Sequence, residues 1–173
     1  ENILVQSANS DWVVETKVTF SRKPSTPNQQ GGIIAMQDDD NCVRFVYRTN
    51  PRSFRTRSSV LDMVIETGGN SFSLAGSRSA DPITDENFSL ILRLERKGSK
   101  FTGSYSRDGK TFTTIGSADV VLRDLNAGVI VCNGSDTPRA GRQGMPAMQM
   151  PDAPQGDFEV IYDYFRIISS GLK

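Results

Sequence analysis

A regular alternation of apolar and polar residues restricts this chain to β structure. In residues 11–21 (DWVVETKVTFS) every second side chain would lie on one face of a β-strand. That face comprises Trp12, Val14, Thr16, Val18 and Phe20. Gly, Asn, Asp and Pro interrupt such runs at short intervals, and these residues favour turns. The pattern predicts an antiparallel all-β fold with Trp12 in its core.

The same period predicts ten or eleven strands in all. Two of them, at 31–37 and 41–48, flank the turn-forming run Asp38-Asp39-Asp40 and predict a hairpin. Asp108-Gly109 predicts a second hairpin turn, because Asp-Gly readily adopts positive φ angles. Further strands are predicted at 60–67, 71–77, 88–97, 101–106, 111–116, 127–133 and 158–168. Since no stretch has a helical period, we expect two packed antiparallel sheets, a β-sandwich of the jelly-roll type.

Residues 1–173 fit a single domain, which is long enough to bury a core without disulfides or a metal. Its one large insertion is predicted at 134–156, far longer than the usual connection of about 4–6 residues. Met145, Met148 and Met150 alternate there with prolines. Because methionine adapts to irregular apolar contacts, the insertion is either a partner-binding surface or a poorly ordered loop.

The composition excludes several classes of function. The chain has no histidine, which removes the commonest general base and the commonest metal ligand. Ser–His–Asp hydrolysis, Cys–His proteolysis and histidine-ligated zinc chemistry are therefore excluded. The 20 basic and 20 acidic residues balance, so no net charge attracts nucleic acid or an anionic membrane. No apolar run approaches the ~20 residues of a membrane-spanning helix, and we expect no membrane span.

The two cysteines, Cys42 and Cys132, lie in apolar strand-like runs. Such positions are typical of free, buried cysteines. A disulfide between them remains the alternative, because sequence spacing alone fixes no geometry.

The order of several segments resembles a known family. The segments are 11–20 (DWVVETKVTF), 29–34 (QQGGII), 38–41 (DDDN), 92–94 (LRL), 105–112 (YSRDGKTF) and 163–167 (DYFRI). Their order and spacing resemble the concanavalin A-like sandwich at the C-terminus of bacterial β-xylosidases and arabinofuranosidases, and related modules of glycan-active enzymes. Members usually carry one or two further strands before the position of Ile3, so the resemblance implies that the first strand or strands are missing.

The resemblance implies a sandwich of the lectin and glucanase type with no cofactor. It implies a non-catalytic carbohydrate-binding or accessory module of a secreted or cell-surface glycoside hydrolase. Its expected partners are a polysaccharide or oligosaccharide and an adjacent catalytic domain, with no nucleic acid. A protein-interaction sandwich of the laminin-G kind and a glycoside hydrolase in its own right remain as alternatives.

The hairpin at 31–48 is the densest source of sugar-binding side chains. Amides and guanidinium groups hydrogen-bond sugar hydroxyls, and the predicted carbohydrate-binding residues are Gln37, Asn41, Arg44 and Arg48. Alternation places Arg44 and Arg48 on one face, with Gln37 expected near them across the hairpin. Arg52, Arg55 and Arg57 extend the basic run and suit either a uronic-acid-bearing glycan or a solvated edge.

Catalytic and metal sites have weaker support. Glu159 and Asp163 would lie on one face of the last strand with their α-carbons roughly 13 Å apart, and we expect them to be structural. No catalytic residue is assigned. The run Asp38–Asn41 lacks the spacing of an EF-hand loop and is interpreted as a solvated turn. A structural calcium held by distant loops remains possible.

Overall fold

The computed structural model describes residues 2–26, 29–49, 59–74, 87–133 and 158–169. Within them the chain forms eleven β-strands and no helix, which confirms the all-β fold class. The strands are β1 (Asn2–Ser7), β2 (Trp12–Phe20), β3 (Gln29–Asp38), β4 (Asn41–Thr49), β5 (Ser59–Thr67), β6 (Asn70–Ser73), β7 (Phe88–Lys97), β8 (Lys100–Ser106), β9 (Thr113–Asp119), β10 (Asn126–Asn133) and β11 (Val160–Ser169).

The strands form two antiparallel sheets that pack face to face. The larger sheet has six strands in the order β1-β10-β3-β4-β5-β6, and the smaller has five in the order β11-β2-β7-β8-β9. Strands β3 to β6 lie side by side in chain order, and so do β7 to β9. Strand β10 pairs with β3 and β1 in the larger sheet, and β11 pairs with β2 in the smaller sheet. This is the expected two-sheet sandwich.

The core lies between the inner faces of the two sheets. Trp12 is only 1% exposed, and its ring meets that of Phe101 edge-on at 6.1 Å. The indole Nε1 donates a hydrogen bond to the carbonyl oxygen of Ala8 at 3.0 Å, so its polar atom is satisfied. Tyr105 is also buried. Trp12 was predicted to be a core residue, and this prediction is confirmed.

The side chain of Tyr162 connects the two sheets. It lies on β11 of the smaller sheet, yet its hydroxyl donates to the carbonyl oxygen of Ile130 at 2.6 Å and accepts from the backbone N–H of Gly32 at 2.8 Å. Both partners belong to the larger sheet. Burial raises the pKa of the phenol well above its ordinary value, so the hydroxyl stays protonated.

One predicted strand begins later than its sequence indicates. We predicted a strand at 111–116, but β9 starts at Thr113. Asp108 Oδ1 accepts hydrogen bonds from the backbone N–H groups of Lys110 (2.8 Å) and Thr111 (2.9 Å), which holds these residues in the turn. These bonds and one from Ser106 lower the pKa of Asp108 to about 2.

Neither Cys42, which is buried, nor Cys132, which is half-buried, forms a disulfide, so the alternative of a disulfide is wrong. The insertion at 134–156 and the arginines at 52, 55 and 57 lie outside the described residues. Among the described residues, no helix is long and apolar enough to cross a membrane.

Candidate functional site

Arg44 and Arg48 lie on the outer face of the larger sheet and reach across it to acidic residues of β5. Arg44 Nη2 donates to Glu66 at 2.8 Å and to Ser71 at 3.1 Å. Arg48 donates through Nε (3.1 Å) and Nη2 (2.7 Å) to Asp62, and Ser73 of β6 also binds that carboxylate at 2.8 Å. We call these six residues the β4–β6 ladder: Arg44, Glu66, Ser71, Arg48, Asp62 and Ser73.

The ladder is largely buried. The side chain of Asp62 is 0% exposed, and those of Arg44 and Arg48 are 17% and 21% exposed. Apolar residues of the same face are also buried. They are Ile34, Cys42, Val46, Val64 and Ile130. Arg44 Nε is buried and makes no hydrogen bond. A ligand can therefore reach only the exposed ends of these guanidinium groups.

Gln37 of β3 and Asn41 of β4 lie on either side of the turn at one end of the larger sheet. A bulge leaves Gln37 without a pairing partner, and Met36 pairs with Cys42 instead. Gln37 accepts from the backbone N–H of Arg123 at 3.0 Å. Asn41 donates to Asp38 at 2.7 Å and accepts from the N–H of Gly68 at 3.1 Å. The bond from Asn41 is the main cause of the lowered pKa of Asp38.

The four predicted sugar-binding residues therefore divide into two groups. Gln37, Asn41 and Arg44 lie towards the same end of the sheet, because Arg44 binds Glu66, which lies opposite Cys42 beside the turn. Arg48 is four residues further along β4, roughly 13 Å away by the rise of a strand. The expectation that Gln37 comes near both arginines is wrong, because the pairing places Arg48 opposite Gln30, seven residues before Gln37. The sugar-binding role of the four residues stays a prediction.

A second polar cluster occupies the outer face of the smaller sheet. Glu15 of β2 accepts hydrogen bonds from Arg93 Nε (2.5 Å), from the hydroxyl of Tyr164 (2.7 Å) and from Arg166 Nη2. Arg93 also stacks on the ring of Phe112, with its guanidinium carbon 3.6 Å from the ring centre. We call these five residues the Glu15 cluster.

The Glu15 carboxylate is buried and charged. Its side chain is 2% exposed, whereas those of Arg93 and Arg166 are 36% and 56% exposed. Burial alone would raise the pKa of Glu15, but the bonds from Tyr164, Arg93 and Arg166 outweigh it and lower the pKa. Burial, and then the bond to Glu15, raise the pKa of Tyr164 to about 12. Tyr164 therefore remains a donor at neutral pH.

A β-bulge in β11 builds this cluster. The pairing with β2 shifts between Tyr162 and Tyr164, and Asp163 is the extra residue. After the shift, Tyr164 pairs with Lys17 and Arg166 with Glu15, so both face outward. Strict alternation would have placed them inward with Tyr162. The alternation that places Trp12 and Val14 inward also places Glu15 outward, but the cluster was not predicted because no local signal in 158–168 marks the bulge.

The acidic residues considered for catalysis have other roles. Asp163 pairs with Lys17 at 2.5 Å, and Glu159 is exposed just before β11. An open depression of about 570 Å³ lies between the edges of the two sheets, and Glu159 is the only carboxylate among its described lining residues. The described residues contain no group of three or more potential metal ligands.

The sequence of this chain matches a protein-family model. The family model described as "Beta xylosidase C-terminal Concanavalin A-like domain" matches residues 4–129, in agreement with the resemblance seen in the sequence. No curated protein matches the sequence.

Three solved structures illustrate the likeness of the fold. The GH43 BlXynB protein from Bacillus licheniformis is 17% identical with a TM-score of 0.67, and the match covers 98% of this chain and 30% of that one. Xylan β-1,4-xylosidase from Bacillus halodurans C-125 is 16% identical with a TM-score of 0.64, over 96% and 30% of the two chains. A functionally unknown protein from Saccharomyces cerevisiae is 18% identical with a TM-score of 0.56, over 75% and 63%. The chain thus spans about 30% of the length of the two bacterial proteins.

Proposed function

Because this chain belongs to the family of β-xylosidase C-terminal concanavalin A-like domains, we propose that it is a non-catalytic, carbohydrate-binding accessory module of a secreted glycoside hydrolase. The family match over residues 4–129 is the observation that carries this proposal. The domain accompanies catalysis in such proteins, so the expected ligand is a polysaccharide or oligosaccharide related to the substrate.

The state of the carboxyl groups supports a non-catalytic role. A glycosidase needs one carboxylic acid that is protonated near neutral pH, and therefore a raised pKa. Hydrogen bonds to their carboxylates lower the pKa of Glu15, of Asp38 and of Asp108 below its ordinary value. Asp62, Glu66 and Asp163 are each paired with a cation. None of these groups is suited to protonate a leaving group.

We place the neutral sugar contact at the turn end of the larger sheet. Gln37 and Asn41 offer amides there, and the exposed part of Arg44 offers guanidinium N–H groups beside Glu66 and Ser71. Arg48 is the residue of this surface that lies farthest from the turn. Each charge-assisted hydrogen bond to a sugar hydroxyl contributes about 1.5–3 kcal/mol.

Calorimetric titration with neutral xylo-oligosaccharides tests this placement. Arg44→Ala should weaken binding at least tenfold, because about 1.4 kcal/mol corresponds to a factor of ten. Gln37→Ala should weaken it less, since a neutral amide makes weaker hydrogen bonds. Lys97→Ala is the control, because Lys97 is exposed on the other sheet. Unchanged binding in both Arg44→Ala and Gln37→Ala, with the fold intact by circular dichroism, would show the placement to be wrong.

We propose that the adjacent catalytic domain packs against the side of the sandwich formed by β1 and β11. Among the described residues, seven large apolar side chains are exposed, and five of them lie on these two edge strands. They are Ile3, Leu4, Val5, Ile161 and Ile168. Hydrogen exchange of this chain alone and joined to the neighbouring domain tests the proposal. Equal exchange of the β1 and β11 amides in the two proteins would contradict it.

We propose that the Asp38–Asn41 turn needs no calcium. Asp38 Oδ1 accepts from the N–H of Asp40 (3.0 Å) and from Asn41 (2.7 Å), and Asp38 Oδ2 accepts from Gln37 (3.0 Å). These bonds satisfy the oxygens that a calcium ion would use. The melting temperature should therefore be the same in calcium and in a chelator, and a rise of several degrees with calcium would contradict this.

A further inference from the structure

The Glu15 cluster leaves guanidinium groups available on the surface of the smaller sheet. Arg93 binds Glu15 through Nε alone, and Arg166 binds it through one Nη alone. Within the described residues, Arg93 Nη1 and Nη2 and Arg166 Nε and Nη1 make no hydrogen bond. Among the described residues, the terminal pair of N–H groups of Arg93 is thus unbonded, and such a pair can bind a carboxylate in bidentate fashion.

The two guanidinium groups are held in place before any ligand arrives. Glu15 is 2% exposed and bonds to both of them, and Phe112 covers one side of Arg93 at 3.6 Å. The bulge at Asp163 brings Arg166 to this face, and bulges often redirect side chains at functional sites. Two cations against one carboxylate leave a net charge of +1 in the cluster. A rigid cationic site costs less ordering on binding than free arginine side chains would.

Hydroxyl groups continue the row of charged residues across the sheet. Arg166, Glu15, Arg93, Ser104 and Thr114 lie opposite one another on β11, β2, β7, β8 and β9. Neighbouring strands are about 4.8 Å apart, so Ser104 and Thr114 lie roughly 5 and 10 Å beyond Arg93. The hydroxyls of Ser104 and Thr114 bond to no described residue. The row therefore has guanidinium groups at one end and hydroxyl groups at the other.

We propose that this row binds the carboxylate of a uronic acid on an acidic glycan, with Arg93 and Arg166 holding the carboxylate and Ser104 and Thr114 contacting neighbouring hydroxyls. The row lies on the face of the sheet, and β7 and β8 are inner strands whose backbone groups are already paired. An acidic peptide could not bind there by adding a strand, whereas a sugar needs only side-chain donors and acceptors. This inference rests on the proposed carbohydrate-binding function and adds acidic glycans as a second class of ligand.

Titration calorimetry with two matched ligands tests the inference. One ligand is a xylo-oligosaccharide carrying glucuronic acid, and the other is the same compound after reduction of its carboxyl group. The acidic ligand should bind at least tenfold more tightly, with affinity that falls as salt is raised. Arg166→Gln should remove that difference without weakening binding of the reduced ligand. Lys97→Gln, which also removes one positive charge from an exposed position on this sheet, should preserve the difference.

The outcomes separate this inference from the proposed function. If the two ligands bind equally, or if Arg166→Gln and Lys97→Gln behave alike, the uronic acid site is wrong while neutral sugar binding stands. If neither ligand binds, both proposals fail. If polyglutamate binds at the same row and the acidic glycan does not, the partner is an acidic protein segment and the inference is overturned. Melting temperatures of all variants confirm that each is folded.

Discussion

Glu15 is a charged residue with 2% exposure, and its three donors make this burial possible. A buried carboxylate without partners costs several kcal/mol, because it loses its hydration. Arg93, Arg166 and Tyr164 replace the water, and they connect three neighbouring strands, β11, β2 and β7. The same contacts that fix the edge strand also position the two guanidinium groups.

We expect Glu15→Gln to lower the free energy of unfolding by about 1–3 kcal/mol, because an amide makes weaker bonds to both arginines. Urea unfolding at neutral pH measures this. Glu95→Gln is the matched control, since Glu95 is half-exposed and pairs with the exposed Lys97. An equal loss in the two variants would contradict the special role of Glu15.

The same residue gives a pH dependence. The folded pKa of Glu15 lies below its unfolded value, so its contribution is present above about pH 4.5. It should be lost as the pH falls further through the folded pKa. Melting temperatures between pH 7 and pH 2 should therefore fall less steeply in Glu15→Gln than in the unmodified chain. Parallel curves below pH 4.5 would contradict the lowered pKa.

At the scale of the element, the two halves of β11 make different contacts. Before the bulge, Tyr162 faces inward and bonds to Gly32 and Ile130 of the opposite sheet. After the bulge, Tyr164 and Arg166 face outward and bond to Glu15. A single extra residue therefore lets one strand hold the sandwich together and also build a surface cluster.

Replacing Tyr162 by Phe should cost about 1–3 kcal/mol, because the N–H of Gly32 and the carbonyl of Ile130 both lose a partner in the buried interior. Tyr164→Phe is the comparison, and it should cost less because Glu15 keeps two arginine donors. Denaturant unfolding of both variants measures the difference. A larger loss for Tyr164→Phe would show that the inter-sheet bonds matter less than the geometry indicates.

At the scale of the whole molecule, the fold presents two separate outer faces. The larger sheet carries the β4–β6 ladder and the turn with Gln37 and Asn41, and the smaller sheet carries the Glu15 cluster. Across the described residues, the acidic side chains are used mainly in ion pairs and turns.

We expect the isolated chain to hydrolyse neither common plant polysaccharides nor aryl glycosides. Release of reducing sugar and of nitrophenol from model substrates measures this. Glu159→Gln and Asp163→Asn serve as controls, because they remove the two carboxylates considered for catalysis. Activity that survives purification and disappears in either variant would contradict the non-catalytic role.

The sequence by itself determined most of the strands, the inward face of β2 and the sandwich. Period-two alternation set Trp12, Val14 and Phe20 in the core, because a strand in a two-sheet fold has one buried face. It also identified Arg44 and Arg48 as neighbours on one outer face, since that relation depends only on positions within one strand. These predictions needed no knowledge of which strands pair.

Only the tertiary structure decided the contacts between distant segments. The bulge at Asp163 and the pairing of β11 with β2 bring Arg166 to Glu15, which is 151 residues away in the chain. The bulge leaves Gln37 without a pairing partner on β4, and its amide oxygen accepts from the N–H of Arg123, 86 residues away in the chain. Bulges and strand order depend on packing between sheets, and a local pattern of side chains carries no record of that packing.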